Sequence, residues 1–158
     1  MIRSSNKSIQ CASTLEEVGK ILQTVIRAAR AAGMAEKNIW KLETSLDEAC
    51  TNIVCYGYKG SGNGAISVRW EVDEDRFIVT IEDQGVPFDQ TEPTHPDFDC
   101  DICKRKIGGL GRFIMSQFLD DMIYQRMKGK NRLILIKNLH CEEEIEAEKV
   151  SGAAKIKS

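Results

Sequence analysis

The hydrophobic positions of the chain change period as the sequence proceeds, and each change marks a different kind of element. Leu15, Val18, Ile21, Leu22, Val25, Ile26 and Ala29 recur at three- and four-residue intervals, the spacing of one buried helical face. Ser13 or Thr14 can cap this helix, and Glu16 and Glu17 stand in its first turn, where the helix dipole favours negative charge. Gly33 ends it. The polar, weakly alternating residues 3–12 predict an edge strand before it. A second stripe of Ile39, Leu42, Leu46, Ala49, Ile53 and Val54 predicts a helix from about Glu36 to Tyr56, closed by Gly57 and a turn at Gly60 to Gly64.

From Ala65 the period falls to two. Ala65 to Val72 and Arg76 to Ile81 alternate around Asp73-Glu74-Asp75, the pattern of a β-hairpin with one buried face. Asp83 to Lys106 gathers all three prolines of the chain and reads as a long irregular loop, of the kind that serves as a lid or binding loop. A third helix opens at Gly108 to Gly111 and carries Phe113, Ile114, Phe118 and Leu119. Strands near Met122 to Met127 and Arg132 to Lys137 follow, joined by a Lys128-Gly129-Lys130-Asn131 turn. This order predicts an α+β fold: a two-layer sandwich whose mostly antiparallel, mixed sheet is covered on one face by about three helices. Residues 1–140 form the single domain, and residues 141–158 read as a charged tail, with Glu142-Glu143-Glu144 as a solvated run. Trp40 and Trp70 read as packing residues.

Composition narrows the partners. With 158 residues, 42% hydrophobic, 29% charged and a net charge of -2, the chain suits one globular domain and has no basic excess for nucleic acid. No run approaches the roughly 18 apolar residues of a membrane span, and the polar start lacks a signal-peptide core, so a cytoplasmic protein with no membrane partner is expected. The six cysteines are scattered and read as reduced thiols. Cys100-Asp101-Ile102-Cys103, with His95 and Asp97 nearby, has spacing that suits Zn2+ or a dithiol switch. No second such pair accompanies it, so two ordinary lid thiols are the simpler reading.

Three segments carry candidate chemistry. Glu48 and Asn52, four residues apart on the second helix, lie about 40° apart on one face and can converge on one ligand. Spacing alone more often marks a polar helix flank. Asp83 follows a buried-looking strand end, and an ionised carboxylate, which only accepts hydrogen bonds, suits an exocyclic amino group; Gly85 allows close backbone approach. A plain turn would use the same residues. Gly108-Gly109-Leu110-Gly111 opens the third helix after Lys104, Arg105 and Lys106, so free amides and adjacent cations could hold phosphate, or the glycines could be a hinge. No P-loop motif is present.

In combination, Leu46-Asp47-Glu48-Ala49-Cys50-Thr51-Asn52 with Tyr56-Gly57-Tyr58, then Asp83-Gln84-Gly85-Val86-Pro87-Phe88-Asp89, then Gly108-Gly109-Leu110-Gly111, resemble the GHKL ATPases across roughly residues 10–138. The order and spacing are most similar to the anti-sigma-factor serine/threonine kinases. The resemblance implies the GHKL (Bergerat) ATP-binding fold, with ATP and Mg2+ as cofactors. Asn52 would bind Mg2+, Glu48 would orient or deprotonate the attacking hydroxyl, and Asp83 with Gly85 would hold adenine. Gly108, Gly109, Leu110 and Gly111 would meet the phosphates, and the segment from Asp89 to Lys106 would be the ATP lid. The implied partners are a sigma factor and a STAS-type anti-sigma-antagonist protein, and the class admits a homodimer.

Kinases of this family commonly place an Arg just before the glycines, where Ile107 stands or neighbours here; Arg105 or Lys106 could substitute. The alternative reading is a non-catalytic, nucleotide-dependent binding switch of the same fold. A histidine kinase needs a phosphoacceptor histidine on a dimerisation helix, and the chain has only His95 and His140.

Overall fold

A computed structural model describes residues 7–87, 109–141 and 149–151. Its elements run β1 (Lys7–Ala12), α1 (Leu15–Ala31), α2 (Glu36–Asn52), a π-helical turn (Ile53–Gly57), β2 (Ala65–Asp73), β3 (Arg76–Asp83), α3 (Gly109–Phe118), β4 (Asp121–Met127) and β5 (Lys130–Asn138). The five strands form one sheet in the order β1-β2-β3-β5-β4, and every pairing is antiparallel. The expected mixed sheet is therefore wholly antiparallel among the described residues. Two of the four pairs, β2–β3 and β4–β5, are tight hairpins, and hairpins join only antiparallel neighbours.

The alternation read from the sequence sorts the two sheet faces. Cys11, Ile66, Val68, Trp70, Phe77, Val79, Ile81 and Leu135 are buried against the helices. The helices meet them with Val18, Ile21, Val25, Ile26 and Ala29 from α1, Ile39, Leu42, Leu46 and Ala49 from α2, and Met115 from α3. Thr14 caps α1 by accepting from the Glu17 amide. Ser13 is thereby left to tie α1 to the β2 entry, its hydroxyl accepting from Gly64 N–H. Trp70 packs as expected, whereas Trp40 is 58% exposed and only leans on Phe118, with ring centroids 5.0 Å apart.

Backbone and side-chain bonds fix how α2 lies on the sheet. Ala35 N–H donates to Leu139 O and Asn38 Nδ2 to Asn138 O, so the start of α2 is tied to the end of β5. Its far end then runs toward the opposite rim, where β3 finishes at Asp83 and β5 begins. The expected single helix to Tyr56 instead widens after Asn52, with Tyr58 N–H reaching back five residues to Ile53 O. Such π turns take up an extra residue and recur at functional sites.

Two boundaries also differ from expectation. The β4–β5 turn is Lys128 and Gly129 alone, so Lys130 and Asn131 belong to β5. Likewise β3 extends to Asp83. Most of the presumed loop and lid, including Asp89, His95, Asp97, Cys100, Cys103, Arg105, Lys106, Ile107 and Gly108, lies outside the described residues, as do residues 142–148 and 152–158 of the tail.

Among the described residues, no helix is long and apolar enough to cross a membrane. No group of three or more His, Cys, Asp or Glu there could hold a metal ion. Cys11, Cys50 and Cys141 are free thiols, but Cys55 is disulfide-bonded, which corrects the expectation that all six cysteines are reduced.

Candidate nucleotide site

Helix α2 supplies the spine of the site. Its buried stripe turns Leu42, Leu46 and Ala49 inward and leaves Glu48 half-buried on the flank. Asn52, one turn on, is only 5% exposed, and its Oδ1 is buried with no hydrogen-bond partner among the described residues. A buried acceptor left unpaired costs about 1–3 kcal/mol, so a protein that keeps one invites a ligand there. An amide oxygen is the hard, neutral donor that Mg2+ accepts in its octahedral shell, and Asn52 fits that ion.

Helix α3 brings its glycines to the same flank. A Cβ placed on Gly111 would stand 2.9 Å from Glu48 Oε2, inside normal contact, so the glycine lets the carboxylate lie directly against the α3 backbone. The pairs Glu48 with Gly111 and Trp40 with Phe118 also set the two helices antiparallel along their seam. Gly109 and Gly111 thus lie in the first turn of α3, where helix amides lack intrahelical partners and favour anions.

The other end of the site is built by the π turn and the end of β3. Asp83 is 6% exposed, and its Oδ1 accepts from Gly85 N–H at 2.9 Å and from Asn131 Nδ2 at 2.9 Å. Oδ2 receives neither. Burial pushes the Asp83 carboxyl above its ordinary value, while the Asn131 and Gly85 bonds and the Arg126 charge oppose that push. Gly57 stands close by: a Cβ on it would lie 3.6 Å from Asp83 Oδ1.

Gly85 has a structural duty beyond any ligand. A Cβ there would meet Gly57 O at 2.5 Å and Gly57 C at 2.6 Å, and Val86 N–H donates to Gly57 O at 3.0 Å. The missing side chain lets the strand-end turn seat on the π turn. From Gly57 back to Glu48 is about 13 Å at 1.5 Å per residue, comparable with the span of an extended nucleoside triphosphate. The Asp83 carboxylate thus sits beside the π turn, with Asn52 and then Glu48 further back along α2.

Sequence reasoning missed the groups that hold Asp83. Asn131 is 5% exposed and directly opposite Asp83 in the β3–β5 register. Its Nδ2 also donates to Val86 O at 3.0 Å and Gly85 O at 3.3 Å, and its Oδ1 accepts from Tyr124 Oη at 2.6 Å and Arg126 Nη1 at 2.9 Å. Arg126 further donates to Gly85 O at 2.9 Å. The signal available was period: Asn131, Leu133 and Leu135 alternate as one strand face, which extends β5 back past the presumed turn.

Comparison with known proteins places the fold in a family. The family profile described as a histidine kinase-like ATPase domain matches residues 11–137. The serine-protein kinase RsbW of Bacillus subtilis is 34% identical over 120 residues, which cover 72% of this chain and 74% of the relative. The anti-sigma F factor of Geobacillus stearothermophilus is 25% identical over 104 residues, covering 66% and 71%. Among solved structures, the crystal structure of the RsbU and RsbW domains of Rv1364c from Mycobacterium tuberculosis superposes with a TM-score of 0.59 at 12% identity. That match covers 85% of this chain and 32% of the solved one, and it shows likeness of fold.

Proposed function

The chain belongs to the histidine kinase-like ATPase domain family, and on that premise we propose that it is an ATP-dependent serine/threonine protein kinase of the anti-sigma type. It binds a sigma factor and phosphorylates a serine or threonine of an anti-sigma-antagonist protein of the STAS type. The partners follow from relatives named as serine-protein kinases and as an anti-sigma factor. The observation that carries the chemistry is the pairing of Glu48 with the unpartnered Asn52 Oδ1 one turn away, under the first turn of α3.

In this reading Asp83 accepts from the adenine amino group, and the amides of Gly109 and Gly111 meet the phosphates. Lys106 or Arg105, and Gly108 and Leu110 beside the other glycines, complete the phosphate end. Asn52 would hold Mg2+, which would supply charge neutralisation on the phosphate oxygens. Glu48 orients the acceptor hydroxyl and takes its proton as that oxygen bonds to the terminal phosphorus. The bond to the bridging oxygen breaks, and ADP leaves with the electron pair.

The test is phosphate transfer from labelled Mg-ATP to antagonist proteins encoded near this chain. Wild type should transfer, and Glu48→Gln should bind ATP with little change but transfer at least about 100-fold more slowly. Nucleotide binding with no transfer by wild type would leave a nucleotide-dependent binding switch instead.

A further inference from the structure

We propose that Asn131, held in one orientation by Arg126 and Tyr124, is the positioning residue that presents Asp83 to the base and makes the site select adenine over guanine. The proposal rests on the nucleotide-binding reading above. Its starting point is the chemistry of the neighbours. A guanidinium can only donate, so the Asn131 group facing Arg126 Nη1 at 2.9 Å must be the amide oxygen. The amide nitrogen then faces Asp83 Oδ1, Val86 O and Gly85 O, all acceptors. No other placement of this side chain satisfies both sides.

The consequence falls on Asp83. Two donors, Asn131 Nδ2 and Gly85 N–H, converge on Oδ1 and hold the carboxylate against rotation, and neither of them takes Oδ2. Adenine offers an amino donor at its six position, whereas guanine offers a carbonyl oxygen there, and two acceptors repel. Discrimination therefore requires a carboxylate that stays ionised and does not turn. Burial works against the first requirement, and the Asn131 amide, the Gly85 N–H and the Arg126 charge oppose it. The Cys50 thiol, kept protonated by full burial, adds no charge beside it. Arg126 and Asn131 also hold the carbonyls of Gly85 and Val86, so the β4–β5 hairpin clamps the whole turn that follows Asp83.

The experiment is calorimetric titration of the full chain, wild type, Asn131→Ala and Tyr124→Phe, with ATP, GTP and purine riboside triphosphate, which lacks the six-amino group. Loss of a hydrogen bond to a charged group corresponds to about 10-fold or more in affinity. Asn131→Ala should weaken ATP by about that factor, narrow the ATP to GTP ratio, and leave the purine analogue within about 2-fold. Tyr124→Phe keeps its ring and loses one hydroxyl, so it should weaken ATP about 3-fold and spare the analogue. It carries the test should the alanine variant fail to fold. Equal losses for ATP and the analogue, or an unchanged ATP to GTP ratio, would overturn the proposal while leaving nucleotide binding intact. A wild-type chain that binds no ATP would overturn the nucleotide-binding reading itself.

Discussion

Replacing Gly111 with alanine separates the catalytic contact from the stability of the fold, because its effects on the two have opposite sign. The new methyl would stand 2.9 Å from Glu48 Oε2, where ordinary contact begins at 3.4 Å. The obstacle is the end of a flexible side chain, so the carboxylate yields by about half an ångström and the helices stay where they are. Alanine is the better helix former by about 1 kcal/mol, less near a helix start, which raises the melting temperature by at most about 2–4 °C for a chain of this size. The Gly111 amide survives, so phosphate contacts at the start of α3 are retained. The carboxylate, however, is displaced from the hydroxyl that it is proposed to orient. A misplacement of 1 Å costs about 100-fold, and half of that corresponds to about 10-fold in kcat. Thermal melting, ATP titration and steady-state transfer to an antagonist together measure all three quantities. A variant that melts no lower, binds ATP as wild type does and still transfers at the wild-type rate would refute the placement of Glu48 against the reacting hydroxyl.

Other substitutions report on the remaining groups. Gly85→Ala drives a methyl into the Gly57 backbone at 2.5 Å, which neither partner can rotate away from. It should lower stability by about 1–3 kcal/mol in denaturant unfolding and weaken ATP in parallel. Asn52→Leu removes a buried, unpaired acceptor and keeps the branching at Cγ, so the relieved desolvation offsets the added bulk and the fold should stay within about 1 kcal/mol of wild type. ATP titrations with and without Mg2+ should then show that the metal no longer improves affinity; a wild-type metal effect in this variant would refute the assignment. The pH dependence follows from Asp83, whose carboxyl is raised by burial from its ordinary 3.8. Without nucleotide, the stability that comes from protonated Asp83 is fully present below 3.8 and is lost as pH rises through the raised value. ATP affinity runs the other way, because the amino group needs the ionised form. It should fall as pH is lowered from neutral toward the raised Asp83 value, and an Asp83→Asn comparison should flatten that fall.

The elements legible in the sequence were those whose residues report one environment each. The α1 stripe from Leu15 to Ala29 and the alternation from Ile66 to Ile81 both face a single core, so period alone located them. Glu48 and Asn52 were legible as a pair because helix geometry fixes residues four apart on one flank. Sequence could not say that Asn52 Oδ1 would be buried and unpaired, since that depends on how α2 is pinned across the sheet through Asn38 and Ala35 at the end of β5.

Asn131 shows where such reading stops. Lys128-Gly129-Lys130-Asn131 has the composition of a loop, and local chemistry favours a turn over all four residues. What overrides it is an interaction 48 residues away in sequence, the bond from Asn131 to Asp83, which makes pairing β5 back to Lys130 worthwhile. The same long-range bond changes the meaning of Gly85. Read locally, that glycine frees the backbone for a ligand; in the fold, it lets the turn seat on Gly57, while Asn131 and Arg126 hold its carbonyl. The Asp83 end of the candidate site is therefore assembled by the sheet register and the π turn together. A substitution in the β4–β5 hairpin is expected to reach Asp83 with no change in the motif that contains it.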